Sequence, residues 1–462
     1  MEQQIDVKTN SLTEGSIPKT LLKFFFPILL GTLFQQLYNT VDAIIVGRFV
    51  GPQALASVGG SAAVIVNLVI GFFVGLASGA MIVVSQYYGA GEYQKLRRTV
   101  GTGVFFCLVA GAALSVVGIV FAPQMLRLAK EPEDIIGESI KYLRIYFSGT
   151  IPVMLFNIGS GILRAVGDSR RPLYYLTVAC VLNIVLDLLF VAVFNMGVSG
   201  AGWATVIALT VSAGLTVLNL ATSQAPYRIR SIRPDGESLK RILRFGIPAG
   251  MQSAMYSASN LLIQTAVNNL GSTVVAAWST TGKLDGIFWN VSNSFATSIS
   301  AFCGQAFGAG KYDRMKKGVR VCLLMSLGSA AVLITLLLTL GRYGFRIFTD
   351  DRLVIDYAVE MLWYFVPFYG VWVFIDILSS ALRGAGDTVV PTVITVTGIC
   401  GLRVLWCLFV VPRYNTVAGI SYSYPFSWSV TALTFVIYWL FGGWLKRCIA
   451  KRDTAPVTAE GE

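Results

Sequence analysis

The sequence predicts an all-α integral membrane protein with twelve transmembrane helices in two parallel-repeat six-helix lobes. Three observations predict it. The 462 residues are 55% hydrophobic and only 13% charged, with a mean hydropathy of +0.67, whereas about a quarter of the residues in a soluble domain are charged. Apolar runs of about 20 residues, enough to cross a hydrocarbon core of ~30 Å, recur twelve times along the chain. Two unrelated motifs also appear twice at one common spacing.

The spans fall, in order, at 21–46, 56–87, 98–121, 139–163, 173–194, 201–222, 243–268, 275–306, 319–341, 357–382, 391–411 and 418–444. The bilayer core has no water to satisfy free N–H and C=O groups, so each span must be helical. The polar opening holds Glu2, Asp6 and Glu14, and the first run ends in Val46-Gly47-Arg48 with no small-residue cleavage site, so it reads as a retained helix. Pro27 and Pro248 sit near the starts of the first and seventh spans. Pro152 and Pro367 lie inside the fourth and tenth, and the missing backbone donor predicts a kink at each of the four. The expected domains are a cytoplasmic N-terminal segment at 1–20, a first lobe at 21–224, a basic linker at 225–237, a second lobe at 238–446 and a cytoplasmic tail at 447–462.

The repeats are explicit. Gly89-Ala90-Gly91-Glu92-Tyr93 with Lys95, Arg97 and Arg98 returns as Gly308-Ala309-Gly310-Lys311-Tyr312 with Arg314, Lys316 and Lys317, and 308 − 89 = 219. Leu163-Arg164 with Gly167-Asp168 and Pro172 returns as Leu382-Arg383 with Gly386-Asp387 and Pro391, again 219 apart. A shared offset marks duplication of one unit of about 220 residues. Each copy holds an even number of spans and keeps its basic Gly-Ala-Gly loop on the same side, so the repeats are parallel, and rocking one lobe against the other would open a cleft to each side in turn. The Gly-Ala-Gly loop lacks the Gly-Lys-Ser/Thr ending of a P-loop. Gly167-Asp168 and Gly386-Asp387 read as structural turns before proline-started helices.

The net charge of +12 would suggest nucleic acid in a soluble protein. Here most of the Lys and Arg fall on the N-terminal side of the twelve-span arrangement, which the positive-inside bias explains without nucleic acid. It places both termini in the cytoplasm of a multi-pass plasma-membrane protein. The seven cysteines are scattered without metal-site spacing and read as packing residues.

A carboxylate at mid-membrane costs about 2.5 to 3.5 kcal/mol on insertion scales, so each one needs a reason. Asp42 lies deep in the first span, with Gln35, Tyr38 and Asn39 on the same helical face. Asn183 and Asp187 form an i, i+4 pair on the fifth span, while Asn157 in the fourth and Thr205 in the sixth add polar groups. Asp42, Asn183, Asp187, Thr205 and Asn157 are therefore candidates for a cation-coupling cluster. Two acids in one low-dielectric pocket titrate as a pair, and a chain without histidine leaves carboxylates to carry protons. Asp42, Asn183, Asp187 and Thr205 equally offer hard oxygen ligands for Na⁺. A hydrogen-bond network that fixes helix packing is the structural alternative.

In the second half, Lys283, Asp285, Asp376 and Arg403 are charged within spans. Asp376 corresponds to Asn157, since 376 − 219 = 157, while the counterpart of Asp42 near Asn260 to Gln264 carries no acid. Tyr38, Tyr256, Phe288, Trp289 and Trp372 could hold a cationic ligand by cation–π attraction. Candidate cleft-lining residues are Gln35, Tyr38, Asn39, Tyr256, Lys283, Asp285, Trp289 and Asp376.

From Leu21 to Trp444 the chain resembles the multidrug and toxic compound extrusion (MATE) transporters. The resemblance rests on Pro27, Gln36-Leu37-Tyr38-Asn39 with Asp42, Val46-Gly47-Arg48, Gly71 to Gly75, Gln86 with Gly89-Ala90-Gly91, and the doubled Leu-Arg-x-x-Gly-Asp. It implies a V-shaped pair of six-helix lobes and an antiporter that expels amphipathic, often cationic, xenobiotics or metabolites in exchange for H⁺ or Na⁺. It also implies that Asp42, Asn183, Asp187 and Thr205 match the coupling cluster of the branch that carries it in the N-terminal lobe. Another branch places an acid in the seventh span, where this chain reads Met251-Gln252-Ser253-Ala254-Met255-Tyr256. The expected partners are a small-molecule substrate and the lipid bilayer, with the chain acting as a monomer and needing no cofactor beyond the coupling ion. The rival reading is a lipid-linked oligosaccharide flippase of the same superfamily, which would need several mid-membrane basic residues where only Lys283 and Arg403 qualify. An enzyme would need a catalytic constellation that the sequence does not offer, and a channel would not need duplicated lobes around a buried acid cluster.

Overall fold

The computed structural model describes residues 12–453 and is helical throughout them. The expected segment 1–20 therefore lies outside the described residues up to position 11, Glu2 and Asp6 included, as does the tail beyond 453. Twelve long helices follow in order: α1 Ile17–Phe49, α2 Pro52–Ala90, α3 Tyr93–Leu128, α4 Ile136–Ser148 with Thr150–Ala165, α5 Arg170–Val193 and α6 Gly197–Thr222, then α7 Gly236–Asn268 and α8 Ser272–Gly308, α9 Tyr312–Phe345, α10 Arg352–Gly384, α11 Val389–Phe409 and α12 Val417–Phe441. A short α13, Trp444–Asp453, closes the described chain. Each of the twelve expected spans corresponds to one of these helices.

Among the described residues, ten are long and apolar enough to cross a membrane, counting the bent α4 as one. The other two, α7 and α8, reach 33 and 37 residues but are more polar. The serines of α8 do not need water. Ser294 and Ser298 donate to the carbonyls of Asn290 and Ser294, the back-bonding that lets hydroxyls sit inside a membrane helix. Large apolar side chains point outward instead: Val116 on α3 is 63% exposed and Leu324 on α9 is 70% exposed. An apolar exterior over a core containing buried serine, threonine and glycine is what a lipid solvent selects.

The duplicated motifs are duplicated turns. Gly91 and Gly310 end α2 and α8 at φ of 74° and 69°, and Gly167 and Gly386 follow α4 and α10 at 93° and 96°, left-handed values that only glycine adopts cheaply. Asp168 N–H donates to Leu163 O at 2.9 Å, and Asp387 N–H to Leu382 O at 3.0 Å, so one helix-ending geometry is used in both halves. The Asp168 carboxylate then accepts from the backbone N–H groups of Arg170 and Arg171 at the start of α5.

Of the four prolines expected to kink a span, Pro27 and Pro248 lie within helices that continue through them, while Pro152 and Pro367 accompany irregularities. α4 bends by 48° between Ser148 and Thr150, just before Pro152. In α10 the α-helix gives way to a 3₁₀ turn at Val366–Phe368, which contains Pro367. A different irregularity was not visible in the sequence: α5 finishes in a π-helical turn at Leu188–Val193, and α11 contains one at Val396–Gly401.

The chain divides into two compact units within α7, one running to Ala254 with Gly308–Gly310, the other comprising Met255–Phe307 and the chain from Lys311. In the first unit, α2 crosses the start of α7 glycine to glycine. A Cβ on Gly75 would lie 2.5 Å from Gly250 N, and one on Gly79 would lie 2.5 Å from Gly246 N. Small residues on both helices permit this backbone approach. The second unit is centred on aromatic rings: Phe288 of α8 stacks on Tyr369 of α10 with centroids 3.9 Å apart, and Trp428 of α12 is fully buried. Of the seven cysteines, all free, six are buried.

Candidate functional site

The polar cluster expected in the first half forms where α1, α5 and α6 meet. The four-residue spacing of Asn183 and Asp187 puts both on the buried face of α5, where they are 2% and 0% exposed. Asn183 Nδ2 donates to Thr205 Oγ1 of α6 at 3.4 Å. From α1, Asp42 meets Asp187 directly, carboxyl to carboxyl. Tyr38, one turn earlier, lies among Gln35, Cys180, Asp42 and Asp187, and Cys180 Sγ donates to Phe34 O, tying α5 to α1. Tyr38, Asn183 and Thr205 line a small cavity together with Leu176, Ala179 and Ala208.

The electrostatics of this cluster are unbalanced. Asp42 Oδ1, both carboxyl oxygens of Asp187 and Asn183 Oδ1 are buried with no donor. Two carboxyls facing each other can share a hydrogen bond only if one of them holds a proton, and an unsatisfied buried acceptor costs about 1–3 kcal/mol, more when charged. Four orphaned oxygens converging from two helices suit either a proton shared by the acids or a small hard cation held by oxygen ligands.

The residues expected alongside them separate. Gln35 and Asn39 are exposed, Gln35 keeping its side-chain contact with Tyr38. Asn157 donates to Val153 O within its own helix and lines a different, apolar cavity with Phe73, Phe106 and Met154, because α4 presents it to α2 and α3. Two residues join that sequence reasoning missed. Tyr142 and Tyr146, on the first half of α4, lie near Tyr38, and Tyr142 lies near both acids as well. Their own i, i+4 spacing, with rings 6.2 Å apart, was the available signal.

The second unit contains a larger cavity, about 520 Å³, bounded by Trp278, Trp289, Trp372, Tyr424 and Trp428, with Tyr256, Asp285 and Arg403 also in its wall. Asp285 accepts from Trp289 Nε1 at 2.6 Å and from the Tyr369 hydroxyl. Arg403 is 4% exposed; it lies over the Tyr424 ring at 4.0 Å and donates at 3.4 Å to Asn260 Oδ1 and Ser427 Oγ. Of the candidate cleft residues, Tyr256, Asp285 and Trp289 meet in this cavity. Lys283 does not: it is exposed and lies over the Phe348 ring, since two residues along a helix turns the side chain well away from Asp285. Asp376 also points elsewhere and accepts from Ser292 Oγ at 2.6 Å. Arg403 is the member that sequence reasoning left out of the site, although it was legible as the lone charge of the eleventh span.

Comparison with known proteins places this geometry. The MatE family model matches residues 27–189 and again 248–409, once per repeat. The chain is similar to "Probable multidrug resistance protein YoeA" of Bacillus subtilis, 29% identical over 96% of this chain and 97% of that one, and to "Probable multidrug resistance protein YpnP" of the same organism, 27% identical over 95% and 98%. Among solved structures it superposes on an outward-facing multidrug resistance MATE family transporter of the MOP superfamily, with a TM-score of 0.86 at 20% identity over 98% of this chain and all of that one. The twice-matched model, covering most of the chain, settles the lineage: this chain belongs to the MatE family, the multidrug and toxic compound extrusion transporters.

Proposed function

We propose that the protein is a secondary active antiporter that exports amphipathic xenobiotics or metabolites, organic cations among them, in exchange for H⁺ or Na⁺ by alternating access. The observation that carries this reading is the set of donorless oxygens on Asp42, Asn183 and Asp187. A structural network would be expected to satisfy its members, whereas a transport site must leave them for a visiting cation. Cation entry joins α1 to α5 by removing the repulsion between the facing acids, and its departure separates them. That two-state element is what a coupling ion biases, and it drives substrate release on the outside. One charge crossing 100 mV supplies roughly 2.3 kcal/mol, enough to shift such an equilibrium. Aromatic walls in the second unit provide faces for flat, amphipathic cargo.

The experiment is dye efflux from proteoliposomes under an imposed pH or Na⁺ gradient. The reading requires that one of the two gradients alone sustain efflux and that Asp42→Asn and Asp187→Asn proteins, inserted normally, lose it. Full-rate pumping by either variant would overturn the assignment.

A further inference from the structure

The cavity of the second unit contains a charge that the cation-coupling scheme does not use. Arg403 is 4% exposed, yet no carboxylate stands within ion-pair distance of it among the described residues. Its contacts are two 3.4 Å hydrogen bonds to neutral oxygens and the Tyr424 face. A buried guanidinium has five donors in a planar fork and pairs best with two parallel oxygens of a carboxylate; left without one, it carries a large desolvation penalty. The acid that shares the cavity wall, Asp285, is engaged elsewhere, by Trp289 Nε1 and the Tyr369 hydroxyl. The two opposite charges thus face one cavity without neutralising each other.

The backbone supplies an independent observation. π-helical turns are rare and concentrate at functional sites. One begins directly after Asp187 in α5, and the other, Val396–Gly401, ends two residues before Arg403 in α11. These are the fifth helices of the two repeats. The first repeat uses its irregular helix to present an anion, and the second uses its own to present a cation.

We infer that the second unit's cavity is a binding site for an aromatic carboxylate, whose oxygens pair with the Arg403 fork while its ring lies against the wall formed by the half-buried Trp278, Trp289 and Trp372. At about 520 Å³ the cavity has the size of a small-molecule site, and Trp278, Trp289 and Trp372 in its wall are only half-buried, leaving ring surface for a flat ligand. The inference rests on the exporter reading above and assigns the recognition of a carboxylate to Arg403 in the second unit's cavity.

The test is equilibrium dialysis of the full chain in lipid nanodiscs, with empty nanodiscs as reference and no ion gradient, against 2-naphthoate, neutral 2-naphthamide and the cation 2-naphthylmethylammonium. Wild-type protein should bind the carboxylate at least tenfold more tightly than the amide, and Arg403→Gln should erase that preference. Should Arg403→Gln fail to fold in so buried a place, Asn260→Asp provides a near-isosteric second arm: it sets a carboxylate beside the Arg403 fork and should also abolish the preference. Equal binding of all three probes to wild type, or a carboxylate preference that survives either variant, overturns the inference. Since no gradient is applied, this outcome is independent of whether Asp42 and Asp187 couple efflux to an ion.

Discussion

Asp42 of α1 and Asp187 of α5 face each other carboxyl to carboxyl, and neither Asp42 Oδ1 nor either oxygen of Asp187 has a donor. Packing does not require this arrangement. An asparagine in place of either acid would supply an N–H and complete the pair, which is why the proposed function gives these two facing acceptors to a visiting cation.

Replacing Asp187 with Asn should therefore stabilise the protein while abolishing ion-coupled transport. The new Nδ2 can donate to Asp42, removing a penalty of about 1–3 kcal/mol. Thermal denaturation of the detergent-solubilised variant in Na⁺-free buffer should show a higher midpoint than wild type. A lower midpoint would mean that the acid is a structural member of the core.

The glycine crossing of α2 and α7 gives a packing prediction with an internal control. Gly79→Ala places a methyl against Gly246 N at 2.5 Å, where both neighbours are backbone, and should lower stability by about 1–3 kcal/mol. Gly103→Ala meets only Ile158 Cγ2 at 3.5 Å, an ordinary contact, and should be neutral or stabilising by up to about 1 kcal/mol through reduced chain entropy. Yield and melting midpoint of the two variants, measured side by side, decide the matter.

The linker contributes a pH-dependent term. Burial alone would raise the Asp235 carboxyl, but hydrogen bonds from the Ser238 hydroxyl and backbone N–H, with Arg98 nearby, hold it below the usual range; Ser238 N–H donates to Asp235 Oδ2 at 2.8 Å. A depressed folded value means that the stabilisation is complete above the unfolded value of about 3.9 and is lost as pH falls through the lower, folded one. Asp235→Asn should lower the melting midpoint at neutral pH, and its difference from wild type should shrink as the pH is taken below about 4. A constant difference across that range would place the effect in packing.

Span number, repeat and turns were legible because each leaves a local mark: apolar length, a common offset of 219 residues, and glycines where φ must be positive. Asp42, Asn183, Asp187 and Thr205 were also legible, because a polar residue at mid-membrane is conspicuous against Leu and Val. Tyr142 was hidden because tyrosine is ordinary in a membrane helix, and only the tertiary packing of α4 brings it to the acids. Asn157 had the right chemistry in the wrong place: helical spacing assigns a residue to a face, but the helix that covers that face is set by packing. The π turns of α5 and α11 have no composition of their own, so their position beside Asp187 and Arg403 emerged only from the backbone.

The acid pair is proposed as the seat of the coupling ion. The most direct measurement is cation stoichiometry on purified protein: equilibrium binding of radioactive Na⁺, and proton uptake after a pH jump in weakly buffered solution, for wild type, Asp42→Asn and Asp187→Asn. The account predicts that one monovalent cation per chain, Na⁺ or H⁺, disappears in both variants. Undiminished binding and uptake in either of them would contradict it.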